Sequence, residues 1–435
     1  MSAPGIVLPA ESQAAAAVES EANAYPLRAL PLHCARCNST IDAAPTHICA
    51  DCLGPLSPLY DPDRALPSRA EISSRPATLW RYREWLPFHG TTPPALPVSS
   101  GWTPLVEAPR LADQIGVARV LVKNDAVCHP TLSFKDRVVT TALNAAASFG
   151  LGVVGCASTG NLANAVAAQA ARAGLPAWIF IPEDLEPAKV IGTSVYAPTL
   201  VRVRGTYDDV NRLCSQVADH FGWGIVNVNL RAYYGEGSKT VAYEIAEQSG
   251  WHLPDAVVAP MAGGSLVGKL WRGFHDFIDA GLVGGTPPRL YGAQADGCAP
   301  IVRMLERGDR TLVPERPATI ARSLAIGAPA DGANAERVLR ESGGWGARVS
   351  DAEIVDGIRL LAETTGIFTE TAGGVTVAAA RALARSGQLK PEDDVVLSIT
   401  GNGLKTVDAV AGSIALAPPI APRLREVIAL AEGAG

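Results

Sequence analysis

Between residues 119 and 278 the chain alternates short β-branched runs with stretches of helical period, and no other feature limits its fold as much. RVLVKND (119–125), LGVVGCAS (151–158), AWIFIP (177–182), LVRVRG (200–205), GIVNVN (224–229) and AVVAP (256–260) have the length and composition of strands. The stretches 137–148, 162–172, 207–220, 238–248 and 266–278, with a further one after AWIFIP, read as helices. Strand, turn and helix repeated this often predict an α/β fold: mostly parallel, twisted sheets covered by helices on both faces. In open sheets of this kind ligands sit beyond the carboxyl ends of the strands, where strand-to-helix turns present backbone N–H groups. Those turns are where chemistry is expected.

Upstream, the chain changes character. Half of its eight cysteines fall between residues 34 and 52, as Cys34-x-x-Cys37 and Cys49-x-x-Cys52 separated by eleven residues. Two such knuckles can converge tetrahedrally on one zinc ion, whereas a redox pair needs only one of them. Four thiolates leave no open coordination position, so the expected metal is structural; His33 and His47 are adjacent but not needed as ligands. Residues 29–62 are accordingly expected to form a zinc-ribbon module. Residues 1–28, alanine-rich and without a basic leader, are expected to be a disordered tail of a cytoplasmic protein. Residues 67–435, 48% of the whole chain being apolar, are long enough to build a large catalytic unit. A net charge of -6 argues against nucleic acid or an anionic membrane as the main partner, and no apolar run reaches the roughly 20 residues of a membrane span.

Three turns carry groups suited to an anionic ligand. CASTGNLANAV places Ser158, Thr159, Gly160 and Asn161 between a strand and a helix; the hydroxyls suit a carboxylate, although helix capping explains them equally. VVAPMAGGSLVGKL places Gly263, Gly264 and Ser265 at another such junction, where an unhindered backbone and a helix N-terminus suit a phosphate. DDVVLSITGNGLK ends a buried strand at Thr400, whose hydroxyl can face a ligand or cap the next turn. Lys135, in HPTLSFKDR, sits where a turn becomes a helix. A helix N-terminus and partial burial both disfavour a charged ammonium and favour the nucleophilic amine. An amine, a phosphate cradle and an asparagine together suggest pyridoxal phosphate.

The motifs SGWTPLVEAPRLA, PTLSFKDR, ASTGN, NLRAYYGEGSKTVAYEIAEQ, PMAGGSLVG, SLAIGAPADG, GIFTETAGGVTVA and ITGNGLK occur in the order seen in fold-type II pyridoxal-phosphate enzymes. Over residues 33–410 the chain most resembles the threonine synthases, some of which carry a two-knuckle zinc module. The resemblance implies a large subdomain of about 67–137 and 226–435, a small one of about 138–225, and a homodimer. It implies that Lys135 bonds to the cofactor aldehyde and later moves protons, and that Asn161 meets the cofactor's phenolic oxygen. Residues Ala262, Gly263, Gly264, Ser265 and Leu266 would bind the cofactor phosphate, and Thr400 would face the pyridine nitrogen. Ser158, Thr159 and Gly160 would hold the substrate carboxylate.

The implied reaction converts O-phospho-L-homoserine and water to L-threonine and phosphate. A substrate phosphate needs cations, and Arg231, Lys239 and Lys123 are the candidates. Two departures bear on the pocket: His129-Pro130-Thr131-Leu132 replaces the Asn-Pro-Thr-Gly of many relatives, and MAGGSL replaces an Asn-rich phosphate loop. The alternatives are a threonine or serine dehydratase, a β-replacing synthase using a phosphorylated amino acid, or a non-catalytic binding protein of the same fold.

Overall fold

The structure, a computed structural model, describes residues 27–89, 96–158, 160–183, 185 and 187–433. The expected tail falls almost wholly on residues 1–26, outside the described residues.

The cysteine segment folds as a three-stranded antiparallel sheet of β1 (Leu32–Cys34), β2 (Thr40–Ile41) and β3 (Leu56–Pro58), with β1 in the middle. Its two C-x-x-C turns repeat one geometry. Asn38 and Leu53, each just after the second cysteine, adopt positive φ, and their N–H groups donate to the carbonyls of Cys34 and Cys49 at 2.8 and 3.0 Å.

Among the described residues, a two-stranded antiparallel pairing of 28–29 with 88–89 leads into a body built on two larger sheets. The first is wholly parallel: β6 (Val154–Ala157), β7 (Ala177–Pro182), β8 (Thr199–Val203) and β9 (Gly224–Ile225), in spatial order β8-β7-β6-β9. The second has six strands: β4 (Leu105–Glu107), β5 (Arg119–Asn124), β10 (Ala256–Pro260), β11 (Arg289–Ala295), β12 (Gly346–Val349) and β13 (Asp394–Ile399). Their order is β12-β11-β10-β13-β5-β4, parallel except for β4 at the edge. Buried strands flanked by helices explain why β10 and β13 are near-continuous apolar runs rather than alternating ones.

Helices α1 (Lys135–Ser148) and α2 (Asn161–Ala173) are alanine-rich because they pack closely against each other and the first sheet; both are almost entirely buried. Helix α3 (Tyr207–Phe221) opens with a Thr206 capping box and closes at Gly222 in the left-handed conformation. The one clear shortfall from the expected pattern is GIVNVN. Its strand stops at Ile225, because the Asn229 side chain accepts the Ile225 N–H at 2.8 Å and the chain turns into the one-turn helix α4 (Arg231–Tyr234), which leads on to α5 (Lys239–Gln248). Among the described residues no helix is long and apolar enough to cross a membrane.

Candidate active site

Lys135 is the first residue of α1, as its sequence position predicts. The turn before it is knitted to the turn after β13: Ser133 forms a β-bridge with Gly401, the Phe134 N–H donates to the Thr400 carbonyl at 2.9 Å, and the Asn402 N–H donates to the Leu132 carbonyl at 3.1 Å. The lysine amine donates to the Tyr234 hydroxyl at 2.9 Å and lies 4.8 Å from the centre of the Phe134 ring.

The turn before α2 joins this assembly through a contact that spans 209 residues. Asn161 donates its amide to both oxygens of Glu370, at 2.7 and 2.9 Å, while its own oxygen accepts from Lys405 at 3.1 Å. Glu370 stands just before helix α7 (Thr371–Arg385), makes no capping bond with its side chain, and is buried. It presses so closely on Gly401 that a Cβ there would come within 2.2 Å of its Oε1. Glycine is therefore required at residue 401 by packing. Burial pulls the Lys405 ammonium below the usual lysine range, against the opposing charges of Glu370 and Asp136. Sequence reasoning gave Glu370, Lys405 and Tyr234 no role, although all three lie inside motifs that carried the resemblance.

Ser158 does what the capping argument predicts: its Oγ accepts the N–H groups of Gly160 and Ala163, both at 2.9 Å. Thr159 lies outside the described residues. In the third turn the cap is Asn402, whose Oδ1 accepts the Leu404 N–H at 3.0 Å, and not Thr400.

The glycine turn leads into α6 (Ser265–Asp279), whose N-cap is Gly264 at φ +90°, with no side chain satisfying the first amides. Four N–H groups of a helix end need partners, and a phosphate supplies them. A side chain at residue 264 would also run into the Asp331 carbonyl, 2.9 Å from the position of its Cβ. Leu266 from this turn, Phe134, Thr400 and Ser398 line one small cavity of about 10 Å³, with Lys123 and Asp125 also on its wall. Near it the Oγ atoms of Ser133 and Ser398 are buried without a protein hydrogen-bond partner. Unmade polar bonds, a helix N-terminus and a lysine amine at the adjoining turn fit a phosphorylated cofactor.

Two of the three cations expected to meet a substrate phosphate are corrected by their surroundings. Lys123, 1% exposed in β5, donates to Glu244 at 2.6 Å, the Thr103 carbonyl at 2.6 Å and Gln248 at 2.9 Å. Arg137 joins it, paired with Glu244 and with Asp125 at 2.8 Å. Burial would raise the Glu244 carboxyl, yet Arg137 and Lys123 outweigh it and hold it at about 2. Lys239 is equally enclosed, 2.7 Å from Glu236 and 3.2 Å from Asp276. These lysines compensate buried carboxylates. Arg231 pairs with Asp331 at 2.7 Å and stays one-third exposed.

Asp136 follows the lysine and is fully buried, accepting the Thr131 N–H and hydroxyl at 2.9 Å each. Burial pushes its carboxyl up from 3.8 to about 6. A carboxyl whose folded value is raised contributes stability that is complete below 3.8 and lost as pH rises through about 6. Wild type should therefore lose stability relative to Asp136→Asn between pH 4 and pH 7, by on the order of 1–3 kcal/mol in denaturant titrations. A pH-independent difference between the two would refute this reading of Asp136.

At the other end of the chain, Cys34, Cys37, Cys49 and Cys52 have all four sulfurs within 4.8 Å of one another, with Cys34–Cys52 at 3.4 Å and Cys37–Cys49 at 3.6 Å. A tetrahedron with Zn–S bonds of about 2.3 Å has edges of about 3.8 Å, so the donor set and its size fit zinc.

Residues 98–401 match the family described as pyridoxal-phosphate dependent enzyme. The chain belongs to that family. A threonine synthase of Methanocaldococcus jannaschii is 33% identical over 86% of this chain and 93% of its own, and one of Synechocystis is 36% identical over 81% and 91%. These matches place the chain with the threonine synthases. Among solved structures, diaminopropionate ammonia lyase of Escherichia coli aligns with a TM-score of 0.62 at 20% identity, covering 81% of this chain and 95% of that one. A fungal L-serine ammonia-lyase from Rhizomucor miehei aligns with a TM-score of 0.60 at 21% identity, covering 71% and 96%. At such identities these likenesses concern the fold, which is that of fold-type II pyridoxal-phosphate enzymes.

Proposed function

We propose that this protein converts O-phospho-L-homoserine and water to L-threonine and phosphate, using pyridoxal phosphate held by Lys135. The observation that carries the reading is the join between the Lys135 turn and the Thr400 turn, which sets the amine at the head of α1 beside the strand end that carries Thr400. Relatives named threonine synthase along most of their length support the choice of reaction.

When bound, pyridoxal phosphate supplies an aldehyde that takes up amines and a conjugated ring that accepts the electron pair left by a departing proton. Lys135 would hold it covalently, and its amine, once freed by the substrate amine, would carry protons from Cα and then Cβ. Residues 262–266 at the start of α6 would bind the cofactor phosphate. Asn161, its amide fixed by Glu370 and Lys405, would face the phenolic oxygen, and Thr400 the pyridine nitrogen. A hydroxyl there, unlike a carboxylate, leaves that nitrogen largely unprotonated. Ser158, Thr159 and Gly160 at the start of α2 would hold the substrate carboxylate. With Lys123 and Lys239 enclosed, Arg231 is the cation of the original three left to meet the substrate phosphate.

The same reading makes the protein a cytoplasmic homodimer, with subdomains of about 67–137 plus 226–435 and about 138–225, and gives the four cysteines one structural zinc. Metal analysis should find one zinc per chain. Cys34→Ser should lose it and unfold at a lower temperature while any folded fraction keeps its cofactor; a metal-free wild type of unchanged stability would remove the zinc assignment. Turnover is tested by offering O-phospho-L-homoserine, L-threonine and L-serine separately. Phosphate release from the first alone is the expected result, and a 2-keto acid from either of the others, without it, would favour the dehydratase reading.

A further inference from the structure

The segment from Arg231 to Lys239 touches both the lysine and the cysteine module. On one side, Tyr234 accepts a hydrogen bond from the Lys135 amine at 2.9 Å. Its backbone carbonyl accepts from Thr141 of α1 at 3.3 Å, and Gly237 lies so close to the Arg137 carbonyl that a Cβ would approach it to 2.6 Å. The segment is thus pressed against the first turns of the helix that Lys135 begins.

On the other side, Tyr233, wholly buried and edge-on to Phe149, donates its hydroxyl to the Leu30 carbonyl at 3.0 Å. Leu30 stands two residues before β1. A second tie runs through Tyr60, two residues after β3, whose hydroxyl lies 2.6 Å from Glu236 and accepts from Lys239 at 3.1 Å. Glu236 is itself clamped by Lys239 and Lys269. Both ends of the module are therefore hydrogen-bonded to the short run of chain that carries Tyr234.

We propose that Tyr234 is a positioning residue for the Lys135 amine, and that the N-terminal four-cysteine module sets its place through Leu30–Tyr233 and Tyr60–Glu236. The inference rests on the reading of Lys135 as the cofactor-bearing lysine. It gives the module a task in the reaction without putting any module residue in the site. A lysine side chain has four rotatable bonds, so an acceptor held in a segment that Tyr233 and Glu236 tie to the module restricts where the amine can stand. A small misplacement of a reacting group costs rate more than binding.

The test uses the holoenzyme and three phenylalanine variants, Tyr234→Phe, Tyr233→Phe and Tyr60→Phe, which keep each ring and remove one hydroxyl. Three quantities are read: kcat and KM separately, the visible circular dichroism of the bound cofactor, and the melting temperature. Tyr234→Phe is expected to lower kcat about tenfold with KM within about twofold, and to change the dichroism. Tyr233→Phe and Tyr60→Phe should move kcat and the dichroism in the same direction, by about threefold in rate.

A purely structural role would lower the melting temperature and leave kcat and the dichroism of the folded fraction at wild-type values; that result for Tyr234→Phe overturns the proposal. An effect of Tyr234→Phe with both other variants at wild-type values overturns the part assigned to the module. If the wild-type protein itself takes up no cofactor, the proposed function fails first, and the three variants are not needed to show it.

Discussion

Lys135→Ala should lower turnover by roughly 10³-fold or more, because the proposed reaction takes its protons through this amine. The variant should fold normally, since among the described residues the Lys135 side chain hydrogen-bonds Tyr234 alone, at the half-buried end of the helix. It should also lose covalent attachment: borohydride treatment of wild type should leave cofactor mass on the peptide holding Lys135, and none on the variant. Turnover within tenfold of wild type, or cofactor trapped on a different lysine, would move the catalytic assignment elsewhere.

The second large effect concerns stability and not chemistry. Glu244 accepts backbone N–H groups from Trp102 at 2.6 Å and Thr103 at 3.1 Å, and it neutralises Lys123 and Arg137 in the interior beneath the site. Glu244→Gln keeps the shape and removes the charge, leaving two buried cations opposite Asp125 alone. Breaking a buried ion network from one side costs about 3–5 kcal/mol, which should appear as a large fall in the denaturant midpoint. The sign with pH follows from its depressed value: Glu244 contributes fully above 4.5, and that contribution is lost as pH falls to about 2. A variant within about 1 kcal/mol of wild type would mean that water or Asp125 replaces the lost charge.

How legible each part was in the sequence depends on how local its cause is. The strand and helix pattern is written in neighbouring residues, so β5 through α6 fall nearly where periodicity puts them; GIVNVN failed because one side chain, Asn229, turns the backbone. The cysteine module was legible because ligand spacing is itself the signal. Lys135 at a helix start and Gly264 at a positive φ follow from the turn sequences. What spacing could not supply was partnership. Lys123 read as a free cation because Glu244, 121 positions on, lies on another element that only the fold brings near; Lys239 has Glu236 three positions before it, but its burial against Asp276, 37 positions on, comes only with the fold. Glu370 and Lys405 were missed for the same reason: their link to Asn161 spans 209 and 244 residues. Tyr234 had no signal beyond its place in the NLRAYYGEGSKT motif, since an aromatic residue in a short helix is ordinarily packing.

The account is tested most directly by running the reaction in heavy-oxygen water and weighing both products. If phosphate leaves from Cγ and water adds at Cβ, the threonine formed carries one heavy oxygen in its hydroxyl and the released phosphate carries none. Heavy oxygen in the phosphate, with homoserine as the other product, would mean simple hydrolysis at phosphorus and would contradict the account.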